Sequence, residues 1–169
     1  MENIIDDLKE DLDRSTQDWD LFVGPNSDYY ISKWEKIKDG RYLSFNLAAC
    51  FFVGFWMLYR KMYVACILIA VWVFVQDYIE AFLVEMFNLY HIQMYLNLGF
   101  DVLVAIVVGL IGNVLYLKKA ERMIRKIKNN SRESSNYEMD IQNAGGTSPL
   151  FLGIAVVVFI AYYSWKFYF

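Results

Sequence analysis

The chain has little of what most enzymes use for catalysis or for holding metals. Its 169 residues include one histidine, two cysteines and two prolines. His91 has no cysteine or histidine neighbour at the spacing of zinc ligands, and no glycine-rich phosphate loop is present. We therefore predict no catalytic residues, no metal site, no cofactor and no nucleic-acid partner.

Apolar residues are abundant instead, at 57% of the chain, and 18% of all residues are aromatic. A membrane-spanning helix needs about 20 mainly apolar residues, and residues 148–169 form such a run with one charged residue, Lys166. We predict an all-α integral membrane protein whose last transmembrane helix covers residues 148–169. A second run, over residues 97–117, is also long enough to span.

The apolar stretch 42–75 can be divided in two ways. A break at Arg60 and Lys61 leaves pieces 43–59 and 62–75, which are at or below the length of a span. A break at Gly54 leaves 42–53, short enough to be re-entrant or interfacial, and 55–75, long enough to span. We favour the second division, which gives three transmembrane helices plus one re-entrant or interfacial helix. Four transmembrane helices are the alternative.

The segments outside these runs are predicted to be short amphipathic cytoplasmic helices. Residues 1–41 hold eleven acidic and six basic residues, and 2–19 read as an acidic helix with Ile4, Ile5, Leu8 and Leu12 on one face. Residues 28–41 suit a helix in the lipid headgroup layer, or one that packs on the protein itself. Its candidate lipid contacts are Tyr30, Lys33, Trp34, Lys36, Lys38 and Arg41.

Lys and Arg counts predict the orientation, because cytoplasmic loops are enriched in them. The segment 118–147, read as a basic helix followed by a polar linker, holds seven of these bases, whereas the loop 77–96 holds none. We expect the N-terminus in the cytoplasm, the loop 77–96 outside and the C-terminus outside. A re-entrant piece over 42–53 keeps the six N-terminal bases on the cytoplasmic side.

Several polar side chains fall inside or beside the apolar runs, where they are costly and often functional. The candidate intramembrane contacts are Asn46, Arg60, Lys61, Asp101 and Asn113. We expect Asn113 to bond to Arg60 or Asn46 as structural support, and Asp101 to reach the outer headgroups. Ala105, Gly109 and Gly112 form a small-residue face that allows a close helix contact. The acidic residues Asp77, Glu80 and Glu85 read as a solvated loop rather than a cation site.

Four segments together resemble a known family: Phe22 to Tyr30, Phe45 to Tyr63, Gly109 to Tyr116 and Gly145 to Ser148. They are similar to the small bacterial inner-membrane proteins catalogued as domain of unknown function 2628. The resemblance implies a bacterial inner membrane and no assigned activity. Many relatives carry a zinc ribbon before this region, but this chain lacks the cysteine pairs for one.

The function predicted from these features is that of a non-enzymatic scaffold or regulatory partner of another protein. Its cytoplasmic helices would dock the partner, while the bilayer surrounds the apolar helices. The alternative is a pore or transporter subunit, which requires association with further copies of the chain, since three helices cannot enclose a polar path alone.

Overall fold

A computed structural model describes residues 15–40, 44–131 and 136–168, and these residues form helices and turns without a β-strand. Residues 15–23 are helical (α1). Six further α-helices follow, together with a short 3-10 turn at Tyr90–Ile92: α2 (Ser27–Lys38), α3 (Leu47–Tyr59), α4 (Tyr63–Phe87), α5 (Gln93–Ser131), α6 (Tyr137–Ala144) and α7 (Pro149–Tyr168). The all-helical prediction is confirmed for this part of the chain.

The chain divides into two compact units. Unit 1 comprises Met1–Ser44 and Asn113–Thr147, and unit 2 comprises Phe45–Gly112 and Ser148–Phe169. Helix α5 is continuous and contributes its first half to unit 2 and its second half to unit 1.

Aromatic residues make the core of unit 1. The Tyr116 ring of α5 lies 5.0 Å from that of Tyr30, 5.4 Å from that of Trp34 and 6.0 Å from that of Phe22, and Trp19 meets Trp34 edge to face at 5.6 Å. These five side chains, called the aromatic core below, are all buried. Rings at such distances contribute beyond their buried area, so unit 1 has the interior of an ordinary folded domain.

A glycine pair joins the loop before α7 to helix α1 within unit 1. The amide of Gly146 donates to the carbonyl of Phe22 at 2.6 Å, and Gly146 has a left-handed φ of 67°. A side chain on Gly145 would collide with the same carbonyl. The two glycines are therefore required by a close backbone approach.

Unit 2 has the opposite character, because most of its large apolar side chains are exposed. Two segments of the chain are long and apolar enough to cross a membrane: Tyr63–Phe87, which lies in unit 2, and Tyr90–Asn130, which begins in unit 2 and covers nearly all of α5. Only 17% and 22% of their most apolar windows are buried. Helix α3 is also apolar but has 13 residues.

The predicted division at Gly54 is present only as a kink, and the single helix predicted over 55–75 is wrong. Helix α3 runs through Gly54 to Tyr59, and α4 begins at Tyr63, so no single helix covers 55–75. The chain turns at Lys61, which has a left-handed φ of 55°, and Met62 N donates to Met57 O at 2.7 Å. The backbone does leave helical geometry at Val53, so the feature next to Gly54 is a kink within α3.

Two predicted loops are partly helical. The segment 77–96 was predicted as a loop, but α4 continues to Phe87 and α5 begins at Gln93, so residues 88–92 alone connect them. The predicted linker before the last helix contains α6. The predicted helices over 97–117 and 118–128 are both present, as parts of the single helix α5. Helix α7 begins at Pro149, close to the predicted start.

The acidic helix predicted over residues 2–19 lies mostly outside the described residues, including Ile4, Ile5, Leu8 and Leu12. The helix does not end at residue 19, as predicted, but continues to residue 23.

Candidate functional site

Asn46, predicted as an intramembrane polar contact, begins helix α3 in unit 2. Its side-chain oxygen accepts from the amide of Ala49 at 3.0 Å, which is the bond of an N-cap residue. Its own amide donates to the carbonyl of Gly109 at 2.8 Å. Asn46 therefore ties the start of α3 to α5.

The small-residue face predicted on α5 is the surface that receives α3. A Cβ atom on Gly109 would lie 2.8 Å from Cys50 Cβ, and one on Gly112 would lie 2.9 Å from Ala49 Cβ. Glycine is needed at both positions because the two helices approach closely there. Close helix contact at Gly109 and Gly112 was thus predicted correctly, although α3 was not named as the partner.

Arg60 and Lys61 form the turn between α3 and α4. Arg60 caps the end of α3 and its side chain is buried, with 3% of its surface exposed. Its guanidinium carbon lies 5.6 Å from the ring centre of Tyr59. This pair was predicted to lie within a longer helix, whereas the structure uses it to end one.

Asn113 is fully buried in unit 1 and holds two segments together. Its amide nitrogen donates to the carbonyl of Ser44 at 3.2 Å and to the Ser44 hydroxyl at 3.0 Å. Its main-chain carbonyl accepts from Trp34 Nε1 at 3.2 Å. The structural role predicted for Asn113 agrees with these bonds, and Ser44 is a partner that was not foreseen. A bond to Arg60 or Asn46 stays a prediction.

The most unusual polar group in unit 2 is a row of side chains between α4 and α5. Gln76 Nε2 donates to Asp101 Oδ1 at 3.4 Å. One turn away, the Asn97 amide nitrogen, in the orientation its neighbours require, donates to Glu80 Oε2 and to the carbonyl of Gln93, both at 2.8 Å. We call Gln76, Glu80, Asn97 and Asp101 the polar ladder.

Two members of the polar ladder are deeply buried. Gln76 is 4% exposed and Glu80 is 5% exposed, and with Val84 they are the buried residues of α4. Asp101 and Asn97 are exposed on α5. Helix α4 thus buries two polar residues while apolar residues such as Phe74, Tyr78 and Phe82 are exposed, the reverse of a helix in a water-soluble domain.

Sequence reasoning identified Asp101 but missed its partners. Glu80 was grouped with Asp77 and Glu85 in a solvated loop, and the structure corrects this, because Glu80 is buried while the other two are exposed. In the described residues no three His, Cys, Asp or Glu side chains are placed to hold a metal together. The available signal was spacing, since both pairs of ladder residues are four apart and so share a helix face.

The candidate lipid contacts on α2 are only partly available to lipid. Tyr30 and Trp34 belong to the aromatic core, and Trp34 has no exposed surface. Their predicted contact with lipid is therefore wrong, because that face of α2 packs on the protein itself. Lys36 and Lys38 are exposed and Lys33 is half-exposed. Arg41 lies outside the described residues.

Ion pairs on unit 1 join three helices. Lys128 Nζ lies 2.7 Å from Asp18 Oδ2, whose other oxygen accepts from the Tyr137 hydroxyl at 3.0 Å. Lys38 Nζ lies 3.3 Å from Glu121 Oε1 and 4.2 Å from the ring centre of Trp19. A groove of about 340 Å³ lies between these pairs, with Trp19 and Ile124 among its lining residues.

Basic residues follow one exposed face of α5 beside this groove. Lys118, Arg122, Arg125 and Lys126 are exposed, whereas Tyr116, Leu117, Ala120 and Ile124 are buried. The exposed four, called the basic stripe below, recur at helical spacing. Arg125 also lines the groove.

Comparison with known proteins identifies the family. The model of a family described as a protein of unknown function, DUF2628, matches residues 9–122. The chain belongs to this family. The resemblance drawn from the sequence motifs is therefore confirmed. No curated protein and no solved structure matches the chain.

The residues of the DUF2628 motifs in this chain hold its helices in position. Asn46 caps α3 and contacts α5, Gly112 makes room for Ala49, and Asn113 binds Ser44. Tyr116 and Phe22 lie in the aromatic core. These motif residues position helices.

Proposed function

We propose that the protein is a non-enzymatic protein of the bacterial inner membrane, in which unit 2 lies in the bilayer and unit 1 docks a partner protein. One observation supports this most: most large apolar side chains of unit 2 are exposed, whereas most of those in unit 1 are buried. Water-soluble monomers rarely expose an apolar patch of more than a few hundred Å². The exposed residues of unit 2 include Phe51, Phe52, Leu68, Trp72, Phe74, Leu98 and Leu103.

The lengths of the helices favour three spans. Helices α4 and α5 form a hairpin in which each arm exceeds the roughly 30 Å of hydrocarbon, at 1.5 Å per residue. Helix α7 has 20 residues, with one charged residue in its sequence. Helix α3, with 13 residues, would be only about 20 Å long, so we propose that it enters the bilayer without crossing it.

The distribution of basic residues supports an orientation. Residues 62–117 contain no Lys or Arg, whereas 118–147 contain seven. We therefore propose that the tip of the hairpin, at residues 88–92, lies on the outer side of the membrane and that unit 1 lies in the cytoplasm. With α7 as the third span, the C-terminus lies outside.

The surface proposed for docking is the basic stripe with the adjoining groove. The exposed guanidinium and ammonium groups suit an acidic partner, because complementary charges steer and orient association. Trp19 and Ile124 in the groove offer an apolar site that a partner side chain can fill, as central contacts of interfaces do. The partner we infer is therefore a protein segment that combines acidic residues with an apolar one.

Photo-crosslinking in membranes tests this proposal. A photoreactive residue at Asn129, which is exposed and lines the groove, should capture a protein partner. Replacing Arg122, Arg125 and Lys126 together with Gln should reduce the crosslink yield about tenfold or more, at roughly 0.5–1 kcal/mol per exposed pair.

A single-charge comparison serves as the control. Lys126→Gln should weaken the crosslink, while Lys36→Gln, at an exposed lysine of α2, should leave it unchanged. A yield that survives neutralisation of the basic stripe would contradict docking at this surface. Binding of the stripe to anionic vesicles with no protein crosslink would contradict it as well and would assign the stripe to lipid headgroups.

The polar ladder favours a second candidate, a subunit of an oligomeric pore or transporter. Ionisable residues within membrane helices commonly mark ion paths, and Asp101 is exposed on α5. Several copies would have to assemble so that such residues line one path. The presence or absence of conductance in planar bilayers containing the purified protein separates this candidate from a docking protein.

A further inference from the structure

We propose that the polar ladder binds a small cation taken from the aqueous phase, Na⁺ or a proton, between Glu80 Oε1 and Gln76 Oε1. These two atoms are buried, and no donor in the described part of the chain reaches either of them. The residues are four apart on α4, so their side chains are neighbours on one helix face. Two buried oxygens on one helix face that both lack a donor are the arrangement that a cation or a proton completes.

The polar ladder has fewer hydrogen-bond donors than acceptors. Asn97 donates to Glu80 Oε2, and Gln76 donates to Asp101 Oδ1. The Asn97 nitrogen uses both of its hydrogens, on Glu80 Oε2 and on the Gln93 carbonyl, and neither amide donates to Glu80 Oε1. A buried acceptor without a partner costs about 1–3 kcal/mol, and more when it is charged. The polar ladder therefore lacks a donor or a cation for Glu80 Oε1.

Reversing the Gln76 amide does not remove this shortage. Its nitrogen would then face Glu80, but its carbonyl oxygen would face Asp101 Oδ1, which is also an acceptor. The contact between two acceptors would then lie between Gln76 and Asp101. In either orientation an oxygen of the polar ladder has no hydrogen-bond donor. A donor or cation must therefore come from outside the polar ladder.

Charge leads to the same conclusion. Four carboxylates, Asp77, Glu80, Glu85 and Asp101, lie within residues 62–117, which contain no Lys or Arg. Asp101 is itself a carboxylate of the polar ladder, and Asp77, next to Gln76 in the chain, adds further negative charge. The sequence of α3 contains no charged residue, and that of α7 contains only Lys166. A buried carboxylate without a basic partner needs a compensating positive charge.

The chemistry of the site fits a small, hard cation. Carboxylate and amide oxygens are ligands for such ions and offer nothing to soft metals. A proton would make Glu80 Oε1 a donor to Gln76 Oε1, whereas Na⁺ would be shared by both oxygens. Asp101, whose carboxylate accepts from Gln76, is exposed on α5 and adds a further carboxylate to the site. This site rests on contacts within unit 2 and not on the docking role of unit 1.

The melting temperature of the full-length protein in detergent tests the site in two series. In the first, Na⁺ replaces N-methylglucamine at constant ionic strength and pH. In the second, the pH is lowered step by step without Na⁺. A ligand that binds only the folded state raises its stability, so the melting temperature should rise in at least one series. Above the dissociation constant we expect about 3 °C or more per tenfold increase in cation.

Variants assign the response to the site. Glu80→Gln should lose it in both series, because the amide donates to Gln76 by itself and carries no charge. Gln76→Leu removes one oxygen and should shift the response to about tenfold higher cation concentration, as expected when about 1.4 kcal/mol of binding energy is lost. Glu85→Gln makes the same charge change at an exposed position of α4 and should respond as the unaltered protein does.

Two results would overturn the proposal. One is a melting temperature of the unaltered protein that changes with neither Na⁺ nor pH. The other is a Glu80→Gln variant that responds as Glu85→Gln does. If Glu80→Gln does not fold, an unchanged response in Gln76→Leu overturns the proposal by itself.

Discussion

At the scale of single residues, glycines on the same helix differ in what surrounds them. Gly112 of α5 faces Ala49 and Trp56 of α3, and a Cβ atom there would lie 2.9 Å from Ala49 Cβ. Gly99 lies on the same helix with nothing within 4 Å of such an atom. The cost of a methyl group at Gly112 is therefore a cost of packing and not of helix formation.

We predict that Gly112→Ala lowers the free energy of unfolding by about 1–3 kcal/mol, because overpacking forces α3 and α5 apart. Gly99→Ala should be neutral or stabilising by up to about 1 kcal/mol, since alanine favours a helix more than glycine does. Denaturant unfolding of both variants in detergent checks this. Equal effects at the two positions would mean that α3 does not pack on this face of α5.

The sequence identified single polar residues better than it identified their partners. Asp101 and Asn113 stand out because they interrupt apolar runs. Their partners Gln76 and Ser44 are 25 and 69 residues away, and no local pattern links positions that far apart. Glu80 was assigned to a solvated loop because polar residues at the end of an apolar run resemble the start of a loop.

At the scale of elements, α3 depends on one side chain for its first turn. Asn46 accepts from the Ala49 amide, while its own amide bonds to Gly109. Replacing it changes the cap and leaves the main-chain bond in place, so the contribution of the cap can be measured separately.

We predict that Asn46→Ala destabilises the protein by about 1 kcal/mol, because an amide of the first turn loses its partner. Asn46→Ser should restore most of this loss, since serine caps nearly as well as asparagine. The midpoint of thermal unfolding is the measurement. A serine variant as unstable as the alanine variant would show that the size of Asn46, and not its cap, stabilises α3.

The helix boundaries show where length arguments succeed and fail. The single helix over 97–128 follows from a continuous apolar run joined to a basic amphipathic one, and both were predicted. The helix predicted over 55–75 was wrong because the piece after Arg60 and Lys61 was counted only to Val75, whereas α4 continues to Phe87. Helix α4 continues through Gln76 and Glu80, since it buries these polar residues against α5, and only a tertiary contact makes that favourable.

At the scale of the whole molecule, unit 1 is assembled from distant segments. Residues up to Ser44 meet residues from Asn113 onward, and the aromatic core draws on both, with Trp34 from α2 and Tyr116 from α5. The sequence assigned Trp34 to a lipid surface because aromatic and basic residues together are typical of one. A buried aromatic face with exposed lysines gives the same pattern, and the structure distinguishes the two.

The proposed function requires that unit 2 crosses the bilayer, with the hairpin tip outside and unit 1 in the cytoplasm. Single cysteines report this in intact cells when Cys50 and Cys66 are replaced by alanine. His91, at the hairpin tip, and Asp20 and Asn129, in unit 1, are all exposed and suit the substitution. An impermeant thiol reagent should label His91→Cys in intact cells. It should label Asp20→Cys and Asn129→Cys only after the membrane is opened. Labelling of Asp20→Cys from outside, or failure to label His91→Cys, would contradict the proposed arrangement.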